Sequence, residues 1–289
     1  MPAITTAICG VPLTLSAPTQ NLIDLFADYF RYYPTRSADA LPAVTTPLNQ
    51  PSPALKIELK LKNSLPPREQ MIPPQAKLFS QSGQVSLWRE TRRTTEGPAV
   101  ERFYFHLGSA CFHVEPHLGR AIGTVTPHTL AEPQILANTY TLFALLLMLR
   151  ARGLYHLHAA AAVTPRDKLC LICGPQHAGK STFVTALGLA GWRPVSDDSL
   201  IIGAHAGRAS LTAFKKHFHL ADRLLAEWPE LAGVNRRHQY LDRSCVDGLK
   251  FFRTGELADA GFQRIDYVVL PEITPTAVSR LALWANSRM

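Results

Sequence analysis

Hydrophobic and polar residues alternate most cleanly along Leu55–Leu61, where leucine and isoleucine are separated by lysine and glutamate. Successive side chains of a strand point to opposite faces, so this pattern predicts a half-exposed strand. Less regular patterns predict a strand or hairpin within residues 3–15, strands at 85–89, 101–107 and 110–114, and an aromatic-rich amphipathic helix over 21–33. Residues 1–130 are therefore expected to form an accessory domain, a mostly antiparallel β layer with one helix.

The second half of the chain alternates helical and strand-like apolar segments. An apolar helix is predicted over residues 133–152, ending at Gly153. Strands are predicted at 154–163, 168–173 and 192–202, and helices at 181–190, closed by Gly191, and near 220–231. This order predicts an α/β domain over residues 131–289, within a chain that is α+β as a whole.

Residues 174–182 read Gly-Pro-Gln-His-Ala-Gly-Lys-Ser-Thr and match the phosphate-binding pattern G-x-x-x-x-G-K-[ST] at each fixed position. The glycines of such a P-loop allow backbone N–H groups to converge on phosphate oxygens, and the following helix N-terminus favours the same anion. Lys180 can reach the β- and γ-phosphates, and Ser181 offers a hydroxyl to Mg²⁺. The predicted nucleotide-binding residues are Gly174, Pro175, Gln176, His177, Ala178, Gly179, Lys180, Ser181 and Thr182.

Two adjacent carboxylates, Asp197 and Asp198, interrupt the apolar segment that follows the 181–190 helix. Carboxylates at the edge of a buried strand are costly unless a metal ion or a proton transfer uses them. The carboxyl ends of neighbouring parallel strands meet at one crevice, so the pair is expected beside the P-loop. The alternative is a solvated turn or a helix cap.

Two histidines, His156 and His158, stand two residues apart in the strand-like segment before the P-loop, which predicts that they share one face. A histidine there could tune a carboxylate or contact a phosphate. The alternative is a pair of partly buried structural histidines, and this is the interpretation we prefer for His156.

Taken together, His158, the P-loop and the Asp pair resemble the kinase domain of HPr kinase/phosphorylase and its relatives, some of which lie beside peptide-modification genes. The resemblance covers residues 153–203, and less strongly extends to about 272. It implies a P-loop kinase core of the HPr kinase/phosphoenolpyruvate carboxykinase type. It also implies that Asp198 is the general base, His158 its supporting partner and Lys180 the group that holds the transferring phosphoryl. Ser181 would bind Mg²⁺ with help from Asp197.

The chain departs from that family downstream of the Asp pair. Neither the Gly-rich signature nor the acidic metal ligand of the bifunctional enzymes occurs between Gly203 and Gly255. The second metal ligand is therefore unassigned, and the reverse, phosphorylase reaction is not predicted.

Composition and charge narrow the function classes. The net charge of +8 is not gathered into a tail or interleaved with aromatic residues, which argues against a nucleic-acid binder. Lys215, Lys216, Arg236 and Arg237 could form a rim for nucleotide phosphates or an acidic acceptor, or simply a solvated basic surface.

The expected location is the cytoplasm, without a membrane partner, because the N-terminus lacks a signal-peptide pattern and residues 142–149, the most apolar stretch, are too short to span a bilayer. The chain has five cysteines and no secretory pattern, which argues against a disulfide framework. Cys170 and Cys173 point to opposite faces of the strand before the P-loop and are interpreted as small apolar residues, not as a redox or zinc pair.

These features predict an ATP- and Mg²⁺-dependent kinase that phosphorylates a hydroxyl, above all a serine of a peptide or small protein such as a modified-peptide precursor. Two alternatives stay open: a small-metabolite kinase of the same fold, and a non-catalytic module that binds a nucleotide or a precursor. The family resemblance also allows a homo-oligomer.

Overall fold

A computed structural model describes residues 1–29, 54–82, 85–93, 99–205, 207–214, 217–231, 236–240, 243–247 and 262–271. Within these ranges the protein is a mixed α/β structure with a large share of β-sheet. None of the described helices is both long and apolar enough to cross a bilayer.

An eight-stranded sheet dominates the first 125 residues. In chain order its strands are β1 (Ala3–Ile8), β2 (Val11–Ser16), β3 (Leu55–Leu61), β4 (Lys77–Ser82), β5 (Val85–Arg92), β6 (Val100–Leu107), β7 (Ala110–Glu115) and β8 (Arg120–Val125). The spatial order is β1-β2-β3-β8-β7-β6-β5-β4, and all pairs are antiparallel except β2 with β3 and β3 with β8. The predicted strands are confirmed, and β3 has the predicted bounds with Leu55, Ile57 and Leu59 fully buried.

One face of this sheet packs against helices. Helix α1 (Gln20–Tyr29) buries Leu22, Ile23 and Phe26, and a short helix α2 (Arg68–Met71) lies between β3 and β4. Gly123 in β8 leaves no room for a side chain, because a Cβ there would lie 2.6 Å from Cε1 of Phe112 in the neighbouring strand β7. The residues that were predicted to be helical beyond position 29 lie outside the described ranges.

A buried carboxylate, Glu90, lies on β5 and is only 2% exposed. It accepts hydrogen bonds from Gln75 Nε2 at 2.8 Å, Arg92 Nε at 2.5 Å and the Tyr104 hydroxyl at 2.9 Å. Burial alone would raise the pKa of Glu90, but these hydrogen bonds outweigh it and lower the pKa below its ordinary value. Burial raises the pKa of Tyr104 to about 12, and the hydrogen bond to Glu90 adds to this rise.

A helical stretch connects the eight-stranded sheet to the rest of the chain. It comprises α3 (Pro127–Leu130), α4 (Pro133–Ile135), a π-helical segment (Leu136–Thr141) and α5 (Leu142–Arg150). Gly153 follows with a φ of 73°, as the predicted helix end requires. Buried residues of α5 share one core with the eight-stranded sheet and with Leu154, Ile201 and Phe214. Packing is thus continuous across residue 130, and the domain boundary there stays a prediction.

The remaining described elements are the strands of two four-stranded sheets and a three-stranded sheet, together with two α-helices. They are β9 (Tyr155–Leu157), β10 (Ala160–Val163), β11 (Leu169–Ile172), α6 (Lys180–Leu189), β12 (Arg193–Ser196), β13 (Leu200–His205), β14 (Arg208–Ala213), β15 (His217–Ala221), α7 (Asp222–Glu227), β16 (Arg236–Tyr240), β17 (Arg243–Asp247), β18 (Gln263–Arg264) and β19 (Tyr267–Val269). The sheet that contains β11, the strand before residues 174–182, has the order β12-β10-β11-β19 and is called the loop-bearing sheet. The second four-stranded sheet, called the β13 sheet, has the order β18-β14-β13-β9. The three-stranded sheet has the order β15-β17-β16.

Two segments that were predicted as single strands are each divided between sheets. Residues 154–163 form β9 in the β13 sheet and β10 in the loop-bearing sheet. Residues 192–202 form β12 in the loop-bearing sheet and β13 in the β13 sheet, with Asp197 and Asp198 at the crossing. Apolar content alone could not show the break in residues 192–202, because Val195, Leu200 and Ile201 on its two sides are all buried, whereas β9 is largely exposed. The helix predicted near residues 220–231 is shorter than expected, since β15 occupies its first residues.

The predicted parallel neighbours at the site are also corrected. Strand β10 lies between β11 and β12 and is antiparallel to both, with Ala160 opposite Ile172 and Ala161 opposite Ser196. Strands β11 and β12 consequently run in the same direction, and their carboxyl ends still reach the same edge of the sheet.

Cys170 in β11 and Cys173, one residue after β11, lie on opposite faces of the loop-bearing sheet, as predicted. Cys170 belongs to the core on one face, and Cys173 packs against the core on the other. Burial raises the pKa of the Cys170 thiol to about 11, which suits a small apolar residue more than a reactive thiol.

Candidate functional site

The 174–179 loop joins β11 to α6 at the edge where β11 ends. Gly179 has a φ of 81°, a conformation that residues with a Cβ rarely adopt, and it directly precedes the first residue of the helix. A Cβ at Gly174 would lie 3.0 Å from Cβ of Ala178, so this glycine permits the close turn. His177 also has a left-handed φ, 65°, and with Pro175 and Gln176 it is exposed. The predicted strand, loop and helix are therefore present in this order.

Lys180 lies inside the turn of the loop and is only 6% exposed. Its Nζ donates hydrogen bonds to the carbonyl oxygens of Gly174 and Pro175, each at 2.9 Å. These bonds offset the cost of removing the ammonium group from water. They also hold the charge at the centre of the loop, where the sequence pattern expects phosphate oxygens.

The two carboxylates differ in exposure although they are adjacent. Asp197 is fully buried, whereas the Asp198 side chain is 26% exposed. Oδ2 of Asp197 accepts a hydrogen bond from the backbone N–H of His219 at 2.9 Å, and the Ser181 side chain lies close enough to lower the pKa of Asp197. The contact with Ser181 joins the end of β12 to the first turn of α6. The side chains of Ser181 and Asp197, both predicted to bind metal, are thus brought together.

Burial raises the pKa of Asp197 to about 7, and the neighbouring charge of Asp198 adds to this rise. The His219 charge, its backbone N–H and the Ser181 side chain act in the opposite direction, but each has a smaller effect. Among the described residues, the groups that favour the ionised form of Asp197 are therefore outweighed by burial and by Asp198.

His219 completes the site, and the sequence did not single it out. It lies on β15, between Phe218 and Leu220, which are both fully buried. Its Nδ1 is 3.5 Å from Oδ2 of Asp198. The Phe-His-Leu alternation is the signal that could have found it, because two buried neighbours place the histidine on the opposite face of the strand.

His156 and His158 occupy different positions from those predicted, since β9 ends at Leu157 and the two do not share a strand. His156 lies on β9 and its Nε2 is 2.9 Å from the Ser199 hydroxyl oxygen, with its ring edge against Phe214. His158 is exposed in the connection between β9 and β10. Within the described part of the chain, no hydrogen bond or ion pair joins His158 to either carboxylate. The other basic candidates, Lys215 and Lys216 and the side chains of Arg236 and Arg237, lie outside the described residues.

The oxygen-rich centre fits a magnesium ion. Among the described residues, Oδ1 of Asp197 is buried and has no hydrogen-bond partner, so one carboxylate oxygen is available to a ligand. The Ser181 hydroxyl and the Asp198 carboxylate supply further oxygens, which are the donors that Mg²⁺ prefers.

Comparison with known proteins adds little to this geometry. No family model and no curated protein matches the chain. Among solved structures the chain is similar to the Hpr(Ser) kinase/phosphatase from Coxiella burnetii, at 18% sequence identity and a TM-score of 0.30. The match covers 44% of this chain and 64% of that protein, so the chain spans less than two thirds of its length. Function is therefore argued from the residues of the site.

Proposed function

We propose that the protein is an ATP- and Mg²⁺-dependent kinase that transfers the γ-phosphoryl group to a hydroxyl, with a serine of a peptide or small protein as acceptor. The observation that carries the proposal is the proximity of the loop residue Ser181 to the buried carboxylate of Asp197, whose pKa it lowers. It links a P-loop motif to an acidic pair at one edge of a sheet. Phosphoryl transfer needs this proximity, because it depends on positioning and on neutralisation of charge.

The roles follow from the exposure and position of each side chain. The loop N–H groups and Lys180 would bind the β- and γ-phosphates, with the ammonium group exchanging the Gly174 and Pro175 carbonyls for phosphate oxygens. Ser181 and Asp197 would hold Mg²⁺, which neutralises charge on those phosphates when bound.

Asp198 is the candidate general base because, unlike Asp197, it is accessible to an acceptor. A base must first reach the proton that it removes, and only then does its pKa matter. Its carboxylate would take the proton of the acceptor hydroxyl while the hydroxyl oxygen bonds to the γ-phosphorus. The bond from that phosphorus to the β,γ-bridging oxygen breaks, and ADP leaves. His219, 3.5 Å away, would hold Asp198 in position, the part that the sequence resemblance implied for His158.

The test is an assay of the purified protein with γ-labelled ATP and Mg²⁺ against serine-containing peptides and, separately, small hydroxylated metabolites. Label on a peptide serine is expected. Label only on a metabolite would replace the acceptor class and retain the chemistry. Tight nucleotide binding without any transfer would contradict the kinase and favour a binding module.

A further inference from the structure

Three potential metal ligands converge from two separate elements of the chain. Asp197 and Asp198 lie in the connection between β12 and β13, and His219 lies on β15. Each offers one ligand atom, and these three atoms lie within 4.8 Å of one another. A magnesium site in a nucleotide enzyme usually has only one or two carboxylates and takes its other ligands from phosphates and water.

Among the described residues, Lys180 forms no ion pair with Asp197. The ammonium group of Lys180 is directed to the Gly174 and Pro175 carbonyls. Asp197 is fully buried, and within the described residues its Oδ1 has no hydrogen-bond partner. Its other oxygen is fixed by the backbone N–H of His219. The same residue thus orients one carboxylate through its backbone and brings an imidazole to the other.

We infer that Asp197, Asp198 and His219 form a protein-only site that binds a divalent transition-metal ion without nucleotide and in preference to Mg²⁺. Imidazole nitrogen is a ligand that first-row transition metals accept readily, whereas Mg²⁺ favours oxygen donors and gives up its water reluctantly. The inference rests on the proposed function for the use of the ion, because a resident cation beside the P-loop would meet the phosphates of an incoming nucleotide. The binding itself needs no transfer activity.

The probe is Mn²⁺, which is paramagnetic and accepts both oxygen and nitrogen ligands. Chelator-treated protein is titrated with Mn²⁺ alone, and free Mn²⁺ is counted by electron paramagnetic resonance. One ion should bind per chain, and the spin-echo signal of the bound ion should carry the ¹⁴N modulation of a coordinated imidazole. A roughly tenfold excess of Mg²⁺ should displace little of it.

The variant His219→Gln removes the nitrogen ligand, and it should weaken Mn²⁺ binding at least about tenfold and abolish the ¹⁴N modulation. His128→Gln removes an exposed histidine of α3 and is the matched control; it should bind as the wild type does. Circular dichroism verifies that each variant is folded. If His219→Gln is unfolded, the ¹⁴N modulation of the wild type decides the question.

The outcomes separate this inference from the proposed function. Absence of Mn²⁺ binding without nucleotide, ready displacement by Mg²⁺, or bound Mn²⁺ without ¹⁴N modulation would overturn the inference, even if transfer with Mg²⁺ is observed. Bound Mn²⁺ that depends on His219, in a protein that transfers no phosphoryl group, would support the inference and contradict the kinase.

Discussion

Replacing Lys180 with methionine should weaken ATP binding and leave the stability of the nucleotide-free protein nearly unchanged. The side chain is 6% exposed, and among the described residues two loop carbonyls at 2.9 Å hold its ammonium group. Methionine has a similar length and no charge, so Lys180→Met removes both the two hydrogen bonds and the cost of burying the charge. The carbonyls of Gly174 and Pro175 lie near the surface and can bond to water. We expect the free energy of unfolding of the nucleotide-free protein to change by less than about 1 kcal/mol.

Binding of ATP should respond much more. A hydrogen bond from a charged group contributes about 1.5–3 kcal/mol, so losing it should weaken ATP binding at least about tenfold. At an ATP concentration about 100 times the wild-type Kd, the nucleotide stabilises the wild type by about 2.7 kcal/mol. Tenfold weaker binding leaves about 1.4 kcal/mol. Thermal unfolding with and without ATP and Mg²⁺ should therefore show about half the wild-type shift.

The matched control is Lys168→Met, which removes the same charge just before β11, at the opposite end of that strand, where the side chain is 53% exposed. It should leave the ATP-induced shift unchanged. A Lys180→Met protein with a full wild-type shift, or a Lys168→Met protein with the same reduction, would refute the assignment of residues 174–182 as the nucleotide site.

Three further predictions concern the site and the fold. In steady-state assays, His219→Gln should lower the transfer rate more than tenfold, and His158→Gln should lower it less than about threefold. The reverse result would mean that His158, not His219, supports Asp198. Gly123→Ala should lower the free energy of unfolding in urea by about 1–3 kcal/mol, because the new methyl group meets the Phe112 ring; unchanged stability would contradict this contact. The lowered pKa of Glu90 stabilises the fold above its ordinary value of 4.5, so Glu90→Gln should be destabilising at pH 7, and its difference from wild type should shrink as the pH falls below 4.5. A pH-independent difference in thermal unfolding would exclude that effect.

Local patterns in the sequence were sufficient where one face of an element is buried and the other solvated. The bounds of β3 follow from its alternation, and α6, predicted over 181–190 with Gly191 as its stop, is found within one residue of those bounds. The P-loop and the Asp pair were placed at one sheet edge because each follows a strand of the same direction, and β11 and β12 do run in the same direction although β10 lies between them.

Contacts between distant segments could not be predicted. His219 follows the Asp pair by about one hairpin and a further strand, and its partner depends on how β15 packs, which no local pattern specifies. His158 has the spacing that the resemblance requires, but spacing could not show that β9 ends one residue before it. Burial likewise hid the division of residues 192–202 between two sheets, because Val195 in β12 and Leu200 and Ile201 in β13 are all buried.

The most direct test of the proposed mechanism compares wild type and Asp198→Asn in single-turnover transfer of the γ-phosphoryl group, with ATP affinity measured in parallel. Loss of a general base costs about 10²–10⁴-fold in rate, so the account predicts a transfer rate reduced by that factor. ATP affinity should change little, because Lys180 and the loop amides are intact. A wild-type transfer rate in Asp198→Asn would contradict the assignment of Asp198 as the general base.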